Sequence, residues 1–267
     1  MNDSRYTFIP DENPLDHVVS NGGYASIFRT IACVGDSLAS GEFETRDPDG
    51  TPHYYDLFSY SWGQFLARMT GATCHNFSRG GMTASEYCEG YAQDRGWWDP
   101  TLGAQAYILA LGVNDLMGQR QPLGEMGDIH PTDPTQNQKT FTGYFARILQ
   151  QYQAIRPDAH FFLVTMPHSV RYDGTHPDHP ALADAHAARM YDLAAYFPNT
   201  YVIDLRRYAP PHDEAFAERF YLYGHLNPLG YRLTAEQIAT YMDWIIRRDP
   251  RTFATVGFIG NETPMLC

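Results

Sequence analysis

The chain reads as an α/β protein, a three-layer α/β/α sandwich around a central parallel sheet of about five strands. Two patterns lead there. Five short apolar runs, Thr30 to Val34, Ala72 to Asn76, Tyr107 to Leu111, His160 to Thr165 and Tyr201 to Leu205, alternate with helix-like stretches. Those stretches are Trp62 to Met69, Lys139 to Ile155, Pro180 to Tyr196 and Leu229 to Arg247. Strand alternating with helix favours a parallel sheet covered on both faces. Polar and glycine-containing segments also gather just after several of the runs, where open α/β sheets place their ligands. With 267 residues, 43% of them hydrophobic, the chain can bury one sizeable core. A single domain over residues 1–267 is expected, with its core about 29–247 and both ends packed on it.

The first element carries the most chemistry. The run Ile31-Ala32-Cys33-Val34 stops at Gly35-Asp36-Ser37-Leu38, which places the Ser37 hydroxyl on a sharp turn at a strand's carboxyl end. Taken alone, such a tetrapeptide also reads as an ordinary turn. The second strand leads into Asn76-Phe77-Ser78-Arg79-Gly80-Gly81-Met82-Thr83, where a glycine can turn its N–H outward with no Cβ in the way. A third, Ala106 to Leu111, runs into Gly112-Val113-Asn114-Asp115 and offers a side-chain amide. Near the C-terminus, Tyr223-Gly224-His225-Leu226-Asn227-Pro228 supplies an imidazole just before the last helix.

A nucleophile, hydrogen-bond donors and a base thus occur in one order along the chain. In that order and spacing the four segments resemble the four blocks of the SGNH hydrolases, the GDSL esterase and lipase family, over about Ile31 to Tyr231. The resemblance implies an SGNH, flavodoxin-like hydrolase fold and a serine hydrolase acting on carboxylic esters, with no cofactor and no metal. It implies Ser37 and His225 as catalytic residues, and Ser37, Gly81 and Asn114 as the oxyanion hole. Gly81 fits the family glycine better than Gly80, because Asn76 lies five residues before it and Thr83 two after. Most members carry an aspartate three residues before the histidine; here that position is Leu222. The third triad member is therefore open. A backbone carbonyl near Tyr221 or Leu222 is the favoured acceptor for the ring, since leucine cannot accept its second N–H. Asp204, Asp213 and Glu218 are other candidates, and a pseudoenzyme is the remaining alternative.

The family does not name its ester. An O-acetylesterase of sugars or oligosaccharides is the preferred expectation, a lipid-type esterase, lysophospholipase or thioesterase the alternative. A non-catalytic carbohydrate-binding protein is the reading of another class. Gly96-Trp97-Trp98-Asp99-Pro100 invites sugar stacking, with packing beside a turn as the plainer reading. Tyr54-Tyr55 and Tyr221 to Tyr223 are equally ambiguous. Glu42 and Glu44 either line the pocket or face water, and paired glycosidase carboxylates are a remote option.

The remaining segments set limits. Acidic residues outnumber basic ones 31 to 19, for a formal charge of −12, which argues against nucleic acid or an anionic membrane as partner and for a neutral small-molecule or oligosaccharide ester. Met1 to Asp16 is polar, with Pro10 and Pro14, and lacks the form of a secretory signal, so a cytoplasmic location is expected. Cys33, Cys74, Cys88 and Cys267 fall in no metal-like spacing and suit a reducing compartment. The long loop Met117 to Gln138 is expected to overhang the site mouth. Pro167 to Pro180 holds His168, His176 and His179, with His186 just beyond, and these read as loop and helix residues in preference to a ligand set. The apolar tail Thr252 to Ile259 either packs back on the sheet or meets a second subunit in a homo-oligomer.

Overall fold

The computed structural model describes residues 9–258; residues 1–8 and 259–267, with Ile259 of the apolar tail and Cys267 among them, lie outside the described residues. Its centre is a five-stranded sheet in the order β4-β1-β5-β6-β7, with β1 Thr30–Gly35, β4 Thr73–Ser78, β5 Ala106–Ala110, β6 His160–Val164 and β7 Thr200–Ile203. Every pairing is parallel. The expected strands are present with their ends moved by one or two residues. Between β1 and β4 the chain inserts an antiparallel hairpin, β2 Glu42–Arg46 and β3 Pro52–Asp56, that the apolar-run pattern does not reveal.

Counting sheet strands alone in chain order, the arrangement is 2-1-3-4-5, with its switch point between β1 and β5. Side chains alternate across the sheet and so feed two cores. Ala32, Val34, Tyr107, Leu109, Phe161 and Leu163 face one core, covered by α3 (Phe141–Ile155) and α4 (His179–Tyr196). Ile31, Cys33, Ala106, Ile108, Phe162 and Val164 face the other, covered by α2 (Trp62–Thr70) and α6 (Pro228–Arg248). Between α4 and α6 lies α5 (Glu214–Phe220). The expected three-layer sandwich is the observed one.

Local chemistry sets the helix starts. Thr140 caps α3 by accepting from the Gly143 N–H at 3.2 Å, which moves its start past Lys139. Asn227 caps α6 through the Gly230 N–H at 3.0 Å, and Pro228 occupies the first turn, where a missing N–H costs nothing. Immediately after β1 the chain folds into α1 (Ser37–Ser40). Gly35 is needed there, because a Cβ would sit 2.5 Å from the Ala39 Cβ and 2.9 Å from the Ala110 carbonyl oxygen.

Both ends of the described chain pack on this frame. Glu12 is buried and pairs with Arg247 at 2.8 Å, while its carbonyl accepts from the Trp244 indole N–H at 3.1 Å. Phe253 and Val256 are buried in the second core, and Phe253 stacks on His160 with ring centroids 4.5 Å apart. Of the two placements open to the apolar tail, its described part takes the sheet.

The loop Met117 to Gln138 packs on the body of the protein. Along α3, Ile129 is buried in the first core, and Asn137 donates to the Gly143 carbonyl at 2.9 Å and to Gln150 at 2.8 Å. Its buried apolar residues give it a core to join, which loop composition conceals. Trp97 and Trp98 likewise pack inward: Trp97 lies 5.3 Å from Tyr87, and Trp98 4.7 Å from Tyr152. Among the described residues, no helix is long and apolar enough to cross a membrane.

Candidate active site

Three strand ends bring the candidate oxyanion donors together. Ser37 opens α1 and is half-buried; Asp36 caps that turn, its carboxylate accepting from the Leu38 N–H at 3.1 Å. Gly81 takes the left-handed backbone, φ 70°, with open space where a Cβ would point. Asn114 follows β5, and its side-chain amide donates to the Met82 carbonyl at 3.3 Å and reaches the Asp36 carboxylate at 3.5 Å. Met82 follows Gly81 and Asp36 precedes Ser37, so one amide bridges the neighbours of both.

Asp115, next to Asn114, fixes this arrangement from below. It is fully buried and accepts from the Ala84 N–H at 2.8 Å, tying the β5 turn to the segment after Gly81. Burial pushes its pKa up to about 7, with the Asp36 and Glu86 charges adding to the rise against the opposing backbone hydrogen bonds. Asp36 is raised to about 6, mainly by burial, with Leu38 and His225 opposing.

His225 comes from a short hairpin, β8 Tyr221–Leu222 and β9 His225–Leu226. Tyr223 turns that hairpin in the left-handed region, φ 57°, and buried Leu226 anchors it, so that His225 projects to the opposite side. The hairpin packs against α1 and β2. In this arrangement Nε2 hydrogen-bonds to Glu42 Oε1 at 3.0 Å, and Nδ1 lies 3.7 Å from Glu44 Oε2. Among the described residues no hydrogen bond joins the ring to the Ser37 hydroxyl. Burial draws the imidazole pKa down, but the hydrogen bond and charge of Glu42 with the charges of Glu44 and Asp36 outweigh it, leaving a net rise above 6.5.

The sequence offered Glu42 and Glu44 only as residues that either line the pocket or face water, and did not join them to His225. Residues two apart on a strand share a face, so β2 presents Glu42, Glu44 and Arg46 together. The signal was available in Asp47-Pro48-Asp49-Gly50, a turn segment between two short strands with β-branched and aromatic residues. Neither the carbonyl of Tyr221 nor that of Leu222 takes the ring N–H, because Nδ1 is buried without a hydrogen bond. The other acids are occupied or distant in role. Asp204 accepts from Thr165 at 3.0 Å and Tyr191 at 2.9 Å, Asp213 caps α5, and Glu218 is exposed.

Beside the Ser37 turn a cavity of about 90 Å³ opens between the sheet and α6. Asp36 and Leu38 form its near wall, and Met166, Tyr172, His212 and Tyr221 line the far side. His212 stacks on Phe216 at 3.9 Å, and burial lowers its pKa to about 4, so it is neutral near pH 7. Of the other histidines, His176 and His179 lie with ring centroids 5.3 Å apart, His168 pairs with Asp173, His176 also with Asp178, and His186 contacts the Leu111 carbonyl at 3.1 Å. No group of three metal-ligating side chains occurs among the described residues.

A family model described as the GDSL-like lipase/acylhydrolase family matches residues 33–233, which include all four candidate blocks. The chain belongs to that family. As a GDSL-like acylhydrolase it is a serine ester hydrolase, and the sheet described above is the SGNH hydrolase fold. Solved structures agree on the fold. A carbohydrate esterase family 2 enzyme plus carbohydrate binding domain from Corynascus thermopiles (Myceliophthora fergusii) is 17% identical with a TM-score of 0.55, covering 86% of this chain and 67% of that one. A family two carbohydrate esterase from Clostridium thermocellum in complex with cellohexaose is 15% identical with a TM-score of 0.55, covering 84% and 65%. The acetyl xylan esterase AlAXEase is 17% identical with a TM-score of 0.51, covering 78% and 97%. No curated protein sequence matches this GDSL-like acylhydrolase.

Proposed function

We propose that the protein is an O-acetylesterase of acetylated sugars or oligosaccharides that works through an acyl-enzyme on Ser37. The observation that carries the reading is the Asn114 amide, 3.3 Å from the Met82 carbonyl and 3.5 Å from the Asp36 carboxylate, beside both Gly81 and Ser37. In this reading His225 Nε2 accepts the Ser37 proton as Oγ bonds to the acyl carbon, then returns it to the departing alcohol. Water repeats the sequence to free the acid. The Ser37 and Gly81 N–H groups and the Asn114 amide receive the developing oxyanion, stabilising the transition state more than the bound ester.

The sugar side of the reading draws on the site's rim. Tyr54 is exposed and lies edge-on to His225, with centroids 5.8 Å apart, and exposed Tyr223 lies under the Arg46 guanidinium at 5.0 Å. Aromatic faces of this kind stack on carbohydrate rings. Structures of the same fold include carbohydrate esterases, one in complex with cellohexaose and one named for acetyl xylan. The acidic surface favours a neutral ester over nucleic acid or an anionic membrane, and free Cys33, Cys74 and Cys88 fit a reducing, cytoplasmic setting.

The mainly apolar cavity beside Leu38 favours a second reading, a lipid-type esterase whose acyl chain enters it. One experiment separates them: p-nitrophenyl esters of increasing chain length, with acetate release from acetylated xylan and mannan. The acetylesterase predicts fastest cleavage of acetate, acetate release from glycans, and loss of both in Ser37→Ala. A rate rising with chain length selects the lipid-type reading. No turnover of any ester rejects both and leaves the carbohydrate-binding alternative.

A further inference from the structure

We propose that Glu44 is the positioning residue for His225, taking the place of the aspartate that Leu222 replaces. The inference rests on the reading of Ser37 and His225 as nucleophile and base. It starts from an orphan: Nδ1 of His225 is buried and makes no hydrogen bond, and it lies 3.7 Å from Glu44 Oε2. Closing that gap to about 2.9 Å, the usual N–H···O separation, takes less than 1 Å of ring or carboxylate movement.

Glu44 is built for such a role. Only 3% of its side chain is exposed, Arg46 holds Oε1 at 2.7 Å and 2.9 Å, and Oε2 accepts from the Gly224 N–H at 2.9 Å. Gly224 immediately precedes His225, so one carboxylate grips both the ring's neighbourhood and its backbone. Burial alone would raise its pKa; the hydrogen bonds from Arg46 and Gly224 and the charges of Arg46 and His225 overcome this and hold it below the ordinary value. It therefore stays ionised where His225 works.

The consequence for the reaction is a division of the ring. Glu44 accepts Nδ1–H throughout, so that once Nε2 gives up its proton and its contact with Glu42 the ring is left in the tautomer whose Nε2 lone pair can take the Ser37 proton, and it offsets the imidazolium charge that forms. No proton passes to Glu44. The groups facing the imidazole are Glu42 and Glu44 from β2, Tyr54 from β3 and Asp36 from the nucleophile turn.

The test compares wild type with Glu44→Gln, Glu44→Asp and Glu44→Gln combined with Leu222→Asp, measuring ester hydrolysis and titrating the His225 ring nitrogens by NMR. Glu44→Gln should lower kcat by about 10²- to 10⁴-fold with KM little changed, and lower the imidazole pKa. Glu44→Asp should recover part of the loss. Leu222→Asp should restore turnover to Glu44→Gln, which a merely misfolded variant would not permit. Wild-type kcat and an unmoved imidazole pKa in Glu44→Gln would overturn the proposal. So would a loss of activity that the new aspartate fails to rescue while the imidazole pKa stays put. If wild type cleaves no ester, the reading of Ser37 fails, and the ring titration still decides the role of Glu44.

Discussion

At the scale of single residues, the strand ends made Ser37, Gly81, Asn114 and His225 legible as candidates, because each sits at a boundary that apolar runs and turn residues mark. The roles of Glu42 and Glu44 were not legible. They depend on a hairpin folding back onto a histidine some 180 positions away in sequence, and no local pattern encodes that approach. Asn114→Ala removes one of three expected oxyanion donors and should lower kcat by ~10²- to 10³-fold with the fold intact, checked by steady-state kinetics and circular dichroism. Glu42 has the opposite character. Its carboxylate occupies Nε2 at 3.0 Å, the nitrogen that the proposed reaction needs, and its other oxygen lies where a Cβ on Gly80 would be. Glu42 also favours the charged ring, so the proposed base is lost to protonation as pH falls through its raised pKa. Glu42→Gln should move the acid limb of the kcat/KM profile to lower pH. A limb that stays put would mean that Glu42 does not govern the ring.

At the scale of elements, the sheet strands and four long helices were legible because period and capping chemistry agree over many residues. The β2–β3 hairpin was not, since its strands are five residues each and mostly exposed on β3. The packing of the loop from Met117 to Gln138 was not legible either, because it rests on a few apolar anchors, Ile129 among them, within a polar composition. The C-terminal segment illustrates the same balance. Phe253 fills a site among Phe28, His160 and Tyr201 at the amino-terminal end of the sheet. Phe253→Ala should cost about 3–5 kcal/mol and lower Tm by on the order of 10 °C, while leaving the solution mass unchanged.

At the scale of the molecule, one buried acid ties stability to pH. Asp115 has a folded pKa of about 7 against an ordinary 3.8, so the folded state holds a proton that the unfolded chain releases between those values. Its contribution is fully present below about pH 4 and is lost as pH rises through 7. Asp115→Asn should flatten denaturation midpoints across that window, by on the order of 4 kcal/mol in total at about 1.4 kcal/mol per pKa unit; Asp36, at about 6, titrates within the same range and leaves a residual slope. An unchanged slope would mean that Asp115 is ionised within the core. The account as a whole depends on Ser37 becoming acylated with His225 as its base. Treatment with a fluorophosphonate followed by peptide mass spectrometry tests this most directly. The adduct should fall on Ser37 and form far more slowly in His225→Ala, with ester hydrolysis lost in step. Full hydrolytic activity in protein left unlabelled at Ser37 would contradict it.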